Sequence, residues 1–209
     1  MKNFLLIFSI LLFSVCRAQV CKYTNLSKNF DFTTSVKRFV VNKRAIDSCK
    51  ITVEVNCRST GKKQIISLSS GYMFSNDFQD CKNIRSYITG VNKNANADDN
   101  DYGNFIVADF NFDSREDFAV KHDSGGNGGP FYSYYIQDIK GNFALDKFLT
   151  GTMVFFPNKF NAKLKSLVTL VHASTVSVSE ITYKFYPKKV FGNRLNKESS
   201  VINIFFCNN

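Results

Sequence analysis

Apolar and polar residues alternate in short segments along most of the chain. In the segment 51–58 the apolar residues Ile51, Val53, Val55 and Cys57 alternate strictly with polar residues. A period of two is typical of a β-strand with one buried face. Further strand signals cover Gln64–Leu68, Tyr72–Phe74, Phe105–Asp109, Phe118–Lys121, Phe131–Asp138, Phe143–Phe148, Leu167–His172, Val176–Tyr186 and Val201–Cys207.

Gly, Asn, Asp and Ser separate these segments, as expected for turns. Asp138–Asn142 predicts a hairpin turn, and the polar residues 92–104 predict a long loop or a seam before a second half, 105–209. The segment Asp77–Tyr87 has the spacing of one short helical turn. Together the patterns predict an all-β fold, an antiparallel meander over residues 19–209. The length of 209 residues and an aromatic content of 15% without Trp fit one such domain.

The N-terminus has the features of an export signal. Lys2 precedes an apolar run from Phe4 to Val15, and the small residue Ala18 follows. The run is shorter than the ~17–25 apolar residues of a membrane span, and Val15 disfavours lipid attachment at Cys16. We therefore expect a signal peptide, 1–18, cleavage after Ala18, and a periplasmic or secreted protein without a membrane span.

The charge of the chain is unevenly distributed. Removal of residues 1–18 takes away Lys2 and Arg17 and lowers the formal charge from +10 to +8. The stretch from Asp98 to Asp123 holds eight acidic and two basic residues, a local charge of −6. Such a cluster is stable when it is solvated, paired or bound to a cation. Nucleic acid is not expected as a partner outside the cytoplasm.

Five cysteines follow the predicted cleavage point, and export would place them in an oxidising compartment. Two disulfides and one remaining thiol are therefore expected, although the sequence does not select the pairing. No two cysteines have the Cys-x-x-Cys spacing of a zinc or redox site. The five residues are Cys21, Cys49, Cys57, Cys81 and Cys207.

One acidic segment has the spacing of a calcium loop. Asp109, Asn111, Asp113 and Asp117 stand at loop positions 1, 3, 5 and 9, and the backbone carbonyl of Arg115 stands at position 7. Ca²⁺ takes six to eight oxygen ligands, which alternate residues of a tight loop can supply. We predict that these five residues bind Ca²⁺, while the intervening Phe side chains point into the core.

The simpler alternative for this segment is a solvated, Asp-rich turn. The loop lacks the terminal Glu of an EF-hand, and Ser114 stands where a Gly usually allows the sharp turn. We expect the Ser to lower the calcium affinity.

The motif Asp-x-Asn-x-Asp-x-x-x-Asp between two apolar strands resembles the calcium loop of FG-GAP or VCBS-type propeller blades. The residues that follow, 123–135, the hairpin near Gly141 and the segment 181–185 are similar to a bacterial envelope family. That family includes immunity proteins against peptidoglycan hydrolases delivered by type IV secretion systems. The resemblance covers about two-fifths of the chain, residues 105–185, and implies a small propeller-like fold related to periplasmic lysozyme inhibitors.

The segment 125–130 is a candidate partner-binding loop. Four glycines allow a protruding, adaptable loop, and two neighbouring tyrosines offer large contact areas with a polar tip. By analogy with lysozyme inhibitors, this loop would plug a cleft of the partner. The alternative is a connection whose tyrosines pack in the sheet. The candidate residues are Gly125, Gly126, Asn127, Gly128, Gly129, Tyr132 and Tyr134.

These observations favour a calcium-binding protein, a monomer or dimer, that recognises a protein partner such as a peptidoglycan hydrolase. The residues 123–126 resemble the nucleophile region of chymotrypsin-like proteases, but no upstream His is available as the base. Enzymatic activity is therefore not expected. An envelope carbohydrate-binding module or a glycan-active enzyme with paired carboxylates stays open as the alternative.

Overall fold

The computed structural model describes residues 19–39, 46–126, 128–174, 177–186 and 196–205. The predicted signal peptide, Asn127 and Cys207 lie outside these residues. Within the described part, no helix is long and apolar enough to cross a membrane.

The first four strands form sheet A, an antiparallel meander in chain order. Its strands are β1 (Gln19–Tyr23), β2 (Phe30–Phe39), β3 (Ile46–Cys57) and β4 (Lys63–Phe74). The predicted alternation in β3 is confirmed, because Ile51, Val53 and Val55 are buried. Strand β2 was not predicted, although its residues alternate between buried and half-buried in the same way.

Sheet B is the five-stranded sheet β5-β6-β7-β8-β9. Its strands are β5 (Ile84–Ser86), β6 (Phe105–Ala108), β7 (Asp117–Gly126), β8 (Gly129–Gln137) and β9 (Phe143–Leu145). Only β5 and β6 pair in parallel within this sheet, and a parallel pair needs a long connection. Residues 92–104 lie in that connection, so they join neighbouring strands of one sheet. The helical turn predicted within 77–87 is wrong, since this segment contains turns and β5.

Sheet C is a second antiparallel meander, with strands β10 (Lys159–Asn161), β11 (Ser166–Ser174), β12 (Ser177–Tyr186) and β13 (Asn196–Phe205). A short π-helical segment, Leu149–Met153, precedes it. The prediction of an all-β, mainly antiparallel fold is therefore confirmed.

The three sheets stack in chain order, with sheet B in the centre. One core lies between sheets A and B and contains Phe32, Phe105 and Phe118. The other core lies on the opposite face of sheet B, where Ile106 and Tyr134 pack with residues of sheet C. Because both faces of sheet B are covered, β6 is buried at every position and lacks a polar side.

One disulfide joins Cys21 of β1 to Cys81, which lies in the turn before β5. It supports the expectation of an oxidising compartment. Cys57 is a thiol that lies 3.3 Å from the Ser59 hydroxyl. The second predicted disulfide stays a prediction, because Cys207 lies outside the described residues.

Candidate functional sites at the two ends of strand β7

The predicted calcium loop connects β6 to β7 and wraps around the carboxylate of Asp109. The amide of Asp113 donates to Asp109 Oδ1 at 3.0 Å and to Asn111 Oδ1 at 3.2 Å. The amide of Ser114 donates to Asp109 Oδ2 at 2.8 Å. One backbone amide thus brings the oxygen atoms of Asp109 and Asn111 close together.

The carboxylate of Asp113 faces the same side of the loop. It accepts a hydrogen bond from Asn111 Nδ2 at 2.6 Å and forms an ion pair with the Arg115 guanidinium. Arg115 Nε also donates to the backbone oxygen of Gln137 at 3.0 Å. The Arg115 side chain therefore supplies a positive charge to Asp113, a role that the sequence prediction, which used only its carbonyl, did not include.

Asp117 lies behind the loop and is fully buried. Its carboxylate oxygens accept hydrogen bonds from the backbone amides of Phe110 and Gln137, both at 2.9 Å. Burial raises the pKa of Asp117 to about 8, against the effect of those two hydrogen bonds, and the charges of Asp113 and Asp109 raise it further. Burial also raises the pKa of Asp109. The loop thus concentrates carboxyl groups in a poorly solvated place, where the protonated form is favoured.

The two Phe residues of the loop face the core between sheets B and C, as predicted. Phe110 is fully buried, and the ring of Phe112 packs against Phe185 with 5.6 Å between centroids. Phe112 and Ser114 have φ angles of 59° and 69°. Ser114 therefore adopts the left-handed conformation that the predicted turn needs, at a strain that Gly would avoid.

The donor set of this loop fits a hard cation in kind, since it consists of carboxylate and amide oxygens. Asp109, Asn111 and Asp113 lie together, whereas the Asp117 carboxylate is turned onto two backbone amides. Within the described residues, no three His, Cys, Asp or Glu side chains are grouped to hold a metal ion. Calcium coordination by all the predicted residues would thus need Asp117 to turn toward the other three.

The glycine-rich segment is the tight end of the hairpin between β7 and β8, where Gly126 pairs with Gly129. A Cβ atom at Gly129 would overlap the carbonyl oxygen of Asp99, and one at Gly125 would overlap Gly129 itself. Gly128 lies against the ring of Phe155. Close packing excludes a Cβ atom at Gly125 and Gly129 and crowds one at Gly128, which differs from the predicted protruding loop.

Tyr132 and Tyr134 are both fully buried in the core between sheets B and C. The hydroxyl of Tyr134 donates to the backbone oxygen of Phe155 at 2.6 Å, and that of Tyr132 accepts the amide of Tyr102 at 3.2 Å. The prediction that these tyrosines contact a partner is therefore wrong. Both faces of sheet B are covered, so its tyrosines pack inside.

The opposite end of β7 forms the floor of a groove of about 1030 Å³. Lys121 is 1% exposed, and its ammonium lies 2.7 Å from Asp77 Oδ1 and 2.6 Å from Asp101 Oδ2. Ser124 Oγ donates to Asp77 Oδ2 at 2.5 Å and accepts the amide of Phe74 at 2.7 Å. This network joins sheets A and B and the loop before β6.

The spacing of residues in the sequence does not indicate this groove. Ser124 lies in the protease-like segment 123–126, but its hydroxyl donates to a carboxylate, and His122 contacts Ser133 at 3.1 Å. The one feature of the sequence that points to the groove is the acidic stretch that begins at Asp98 and contains Asp101. Nothing in the sequence around Asp77 indicates its ion pair with Lys121, because 44 residues separate the two.

Comparisons with protein-family models, with curated proteins and with solved structures found no match.

Proposed function

We propose that this chain is an exported, calcium-binding protein that recognises a protein partner. The observation that carries the calcium proposal is the position of Asp109, Asn111 and Asp113, whose side chains surround one turn of backbone. These side chains, the carbonyl of Arg115 and a reoriented Asp117 would hold the ion. Bound Ca²⁺ would neutralise the carboxylates and fix the connection between two strands of the central sheet.

Calorimetric titration with Ca²⁺ after treatment with EDTA tests this proposal. We expect the wild type to bind and to melt at a higher temperature in millimolar Ca²⁺, because a ligand that binds only the folded state stabilises it. Asp113→Asn should weaken binding.

The control variant for the calcium titration is Asp138→Asn. Asp138 also caps a turn, by accepting the amides of Lys140 and Asn142, but it lies in the β8–β9 hairpin. It should leave the titration unchanged. No heat of binding and no shift in melting temperature for the wild type would reject the calcium proposal.

The partner proposal rests on the resemblance of residues 105–185 to envelope immunity proteins, including their propeller-like fold. The disulfide between Cys21 and Cys81 supports the export that such a role needs. The proposed partner is a peptidoglycan hydrolase, and the test is a turbidity assay on cell walls with hydrolases encoded near this gene. Inhibition by the purified chain supports the proposal; lysis at an unchanged rate with every hydrolase contradicts it.

A carbohydrate-binding or glycan-active protein is the second candidate. Tyr72 and Phe74 stand partly exposed at the edge of the groove, 37% and 38%, and aromatic faces of this kind can bind sugars. Binding of chitin or peptidoglycan fragments by the wild type, lost in Tyr72→Ala, would favour this candidate. Release of a cleaved glycan would make it an enzyme.

A further inference from the structure

The groove at the end of β7 lies apart from the calcium loop. Of the residues that line it, Lys121 is the nearest in sequence to Asp117, and four residues of one strand separate the two, or about 13 Å of extended chain. The groove is bounded by the end of β4, by the β7–β8 hairpin and by the loop Asp98–Asp101. A ligand in the groove would therefore not touch the calcium loop.

Negative charge dominates this groove. Among the described residues, its lining holds the carboxylates of Asp77, Asp98, Asp99 and Asp101 against the one ammonium of Lys121, which gives these five side chains a formal charge of −3. Asp98 and Asp99 are exposed at the rim. The whole chain, in contrast, carries a formal charge of +10. The groove is thus an acidic surface on a basic protein and attracts cations.

The acidic rim is held in place by specific contacts. Asn100 Nδ2 donates to the backbone oxygens of Gly128 at 3.2 Å and Leu170 at 2.8 Å. Asp99 and Asn100 adopt left-handed φ angles of 47° and 61°, and Gly129 packs directly under the Asp99 carbonyl. A rim that is ordered before binding loses little conformational freedom on binding.

Two aromatic rings stand beside these carboxylates. Tyr72 and Phe74 contact each other edge to face, with 5.5 Å between centroids, and both line the groove. A guanidinium or ammonium group can lie over such a ring while it pairs with a nearby carboxylate. A neutral sugar could stack on the rings but would leave the charge of −3 without a counter-charge.

The acidic surface continues beyond the main groove. A second cavity of about 350 Å³ shares Asp99 and His172 with it and adds Glu180, which pairs with Lys159 at 3.3 Å. The two cavities adjoin at Asp99 and His172, and both are open to solvent. Two adjoining open cavities suit an extended segment of polypeptide more than a single small cation.

We propose that this acidic groove binds a basic segment of a protein partner, through Lys or Arg side chains placed between Asp98, Asp99 and the Tyr72–Phe74 rings. The proposal rests on the proposed function as a partner-binding protein and assigns the surface that would carry it. The groove thus takes the place of Tyr132 and Tyr134 as the proposed partner-binding surface, because both tyrosines are buried.

Fluorescence anisotropy with a labelled peptide of alternating Gly, Arg and Lys residues tests the assignment. We expect the wild type to bind this peptide, with an affinity that falls as salt is added. The double variant Asp98→Asn with Asp99→Asn removes two exposed charges without loss of volume and should bind about tenfold more weakly. Tyr72→Ala should also weaken binding.

The control double variant is Asp31→Asn with Glu54→Gln, which removes the same charge from sheet A, where these residues pair with Arg58 and Lys63. It should bind like the wild type. Equal weakening by both double variants would overturn the proposal, because it would show attraction to net charge alone. Absence of peptide binding would overturn it as well, and so would preferential binding of neutral N-acetylglucosamine oligomers. Circular dichroism verifies that each variant is folded.

The hydrolase assay separates this proposal from the proposed function. If the wild type inhibits a hydrolase and the Asp98–Asp99 double variant inhibits it equally, the partner role stands and the groove assignment is wrong. If the peptide binds as predicted while no hydrolase is inhibited, the groove binds a basic segment and the hydrolase is the wrong partner.

Discussion

Strand β7 buries two titratable residues, Asp117 at its start and Lys121 at its middle, and the two are stabilised in different ways. At the groove end, the ammonium of Lys121 lies between the carboxylates of Asp77 and Asp101. At the loop end, Asp117 is held by backbone amides, and Asp109 and Asp113 add like charges. Lys121 is thus neutralised by two carboxylates, whereas Asp117 contacts backbone amides and lies near two like charges, of which Asp113 is paired with Arg115.

This difference indicates which end depends on a ligand. A buried charge with a close partner of opposite sign stays stable as long as the partner is present. A buried carboxylate with like charges nearby is stabilised by protonation or by a bound cation. The groove end should therefore be insensitive to calcium, and the loop end should respond to both calcium and pH.

The largest expected effect is that of Lys121→Met. Removal of the ammonium leaves the buried carboxylate of Asp77 without its cation and close to the carboxylate of Asp101, which is 35% exposed. We expect a loss of about 3–5 kcal/mol in the free energy of unfolding. Urea unfolding measures it. Lys159→Met is the control, since its ion pair with Glu180 is exposed and worth less than about 1 kcal/mol. Equal losses in the two variants would contradict the assigned role of Lys121.

Gly129→Ala should give the next largest effect. Gly129 has a φ angle of 97°, and an added Cβ would meet the Asp99 carbonyl, so we expect a loss of about 2 kcal/mol or more. The matched control is Gly126→Ala in the same hairpin, where an added Cβ has open space. Urea unfolding of both variants is the measurement. If Gly129→Ala is as stable as the control, the rim of the groove is not fixed by this contact.

The loop end should show a dependence on pH in the absence of calcium. Since the folded pKa of Asp117 is raised from 3.8 to about 8, its stabilising contribution is complete below about pH 4 and is lost as the pH rises toward 8. Asp117→Asn should remove this slope. In EDTA, the wild type should lose at least about 1 kcal/mol relative to this variant between pH 5 and pH 8. Parallel pH profiles of the two proteins would show that Asp117 titrates normally.

The smallest expected effect is that of Arg115→Ala on calcium affinity. The guanidinium of Arg115 competes with a cation for Asp113, so its removal should tighten calcium binding about threefold. Arg58→Ala is a close control, because Arg58 also pairs with an Asp and has the same side-chain exposure of 36%. Calorimetry compares the two variants, and weaker binding by Arg115→Ala would mean that Arg115 orders the loop for the ion.

The sequence predicts this fold well where one face of a strand is exposed. The alternation in β3 marks a half-buried strand, and Asp138 marks a hairpin turn that the structure contains. The short strands β5 and β10 have three residues each, which is too few to show a period. The helical turn predicted within Asp77–Tyr87 is wrong because the strand in this segment, β5, is set by its pairing with distant Phe105.

The two candidate sites also differ in how far they can be predicted from local sequence. The loop Asp109–Asp117 is a local motif, so its ligand-type residues can be identified from spacing alone. The groove network needs Asp77, Asp101 and Lys121 from three separate segments, and its pairing is visible only in three dimensions. Tyr132 resembled a surface anchor because tyrosine has a polar tip, yet its hydroxyl is satisfied inside the core.

The position of sheet B has a consequence for folding during synthesis. The chain emerges in the order of the layers, so sheet B can cover sheet A while its other face, with Ile106 and Tyr134, still lacks sheet C. A half-finished chain therefore exposes a wide apolar sheet face, the type of surface through which folding intermediates aggregate. Truncation before β11 would make that exposed face permanent, so the completion of sheet C determines whether the chain escapes this route to aggregation.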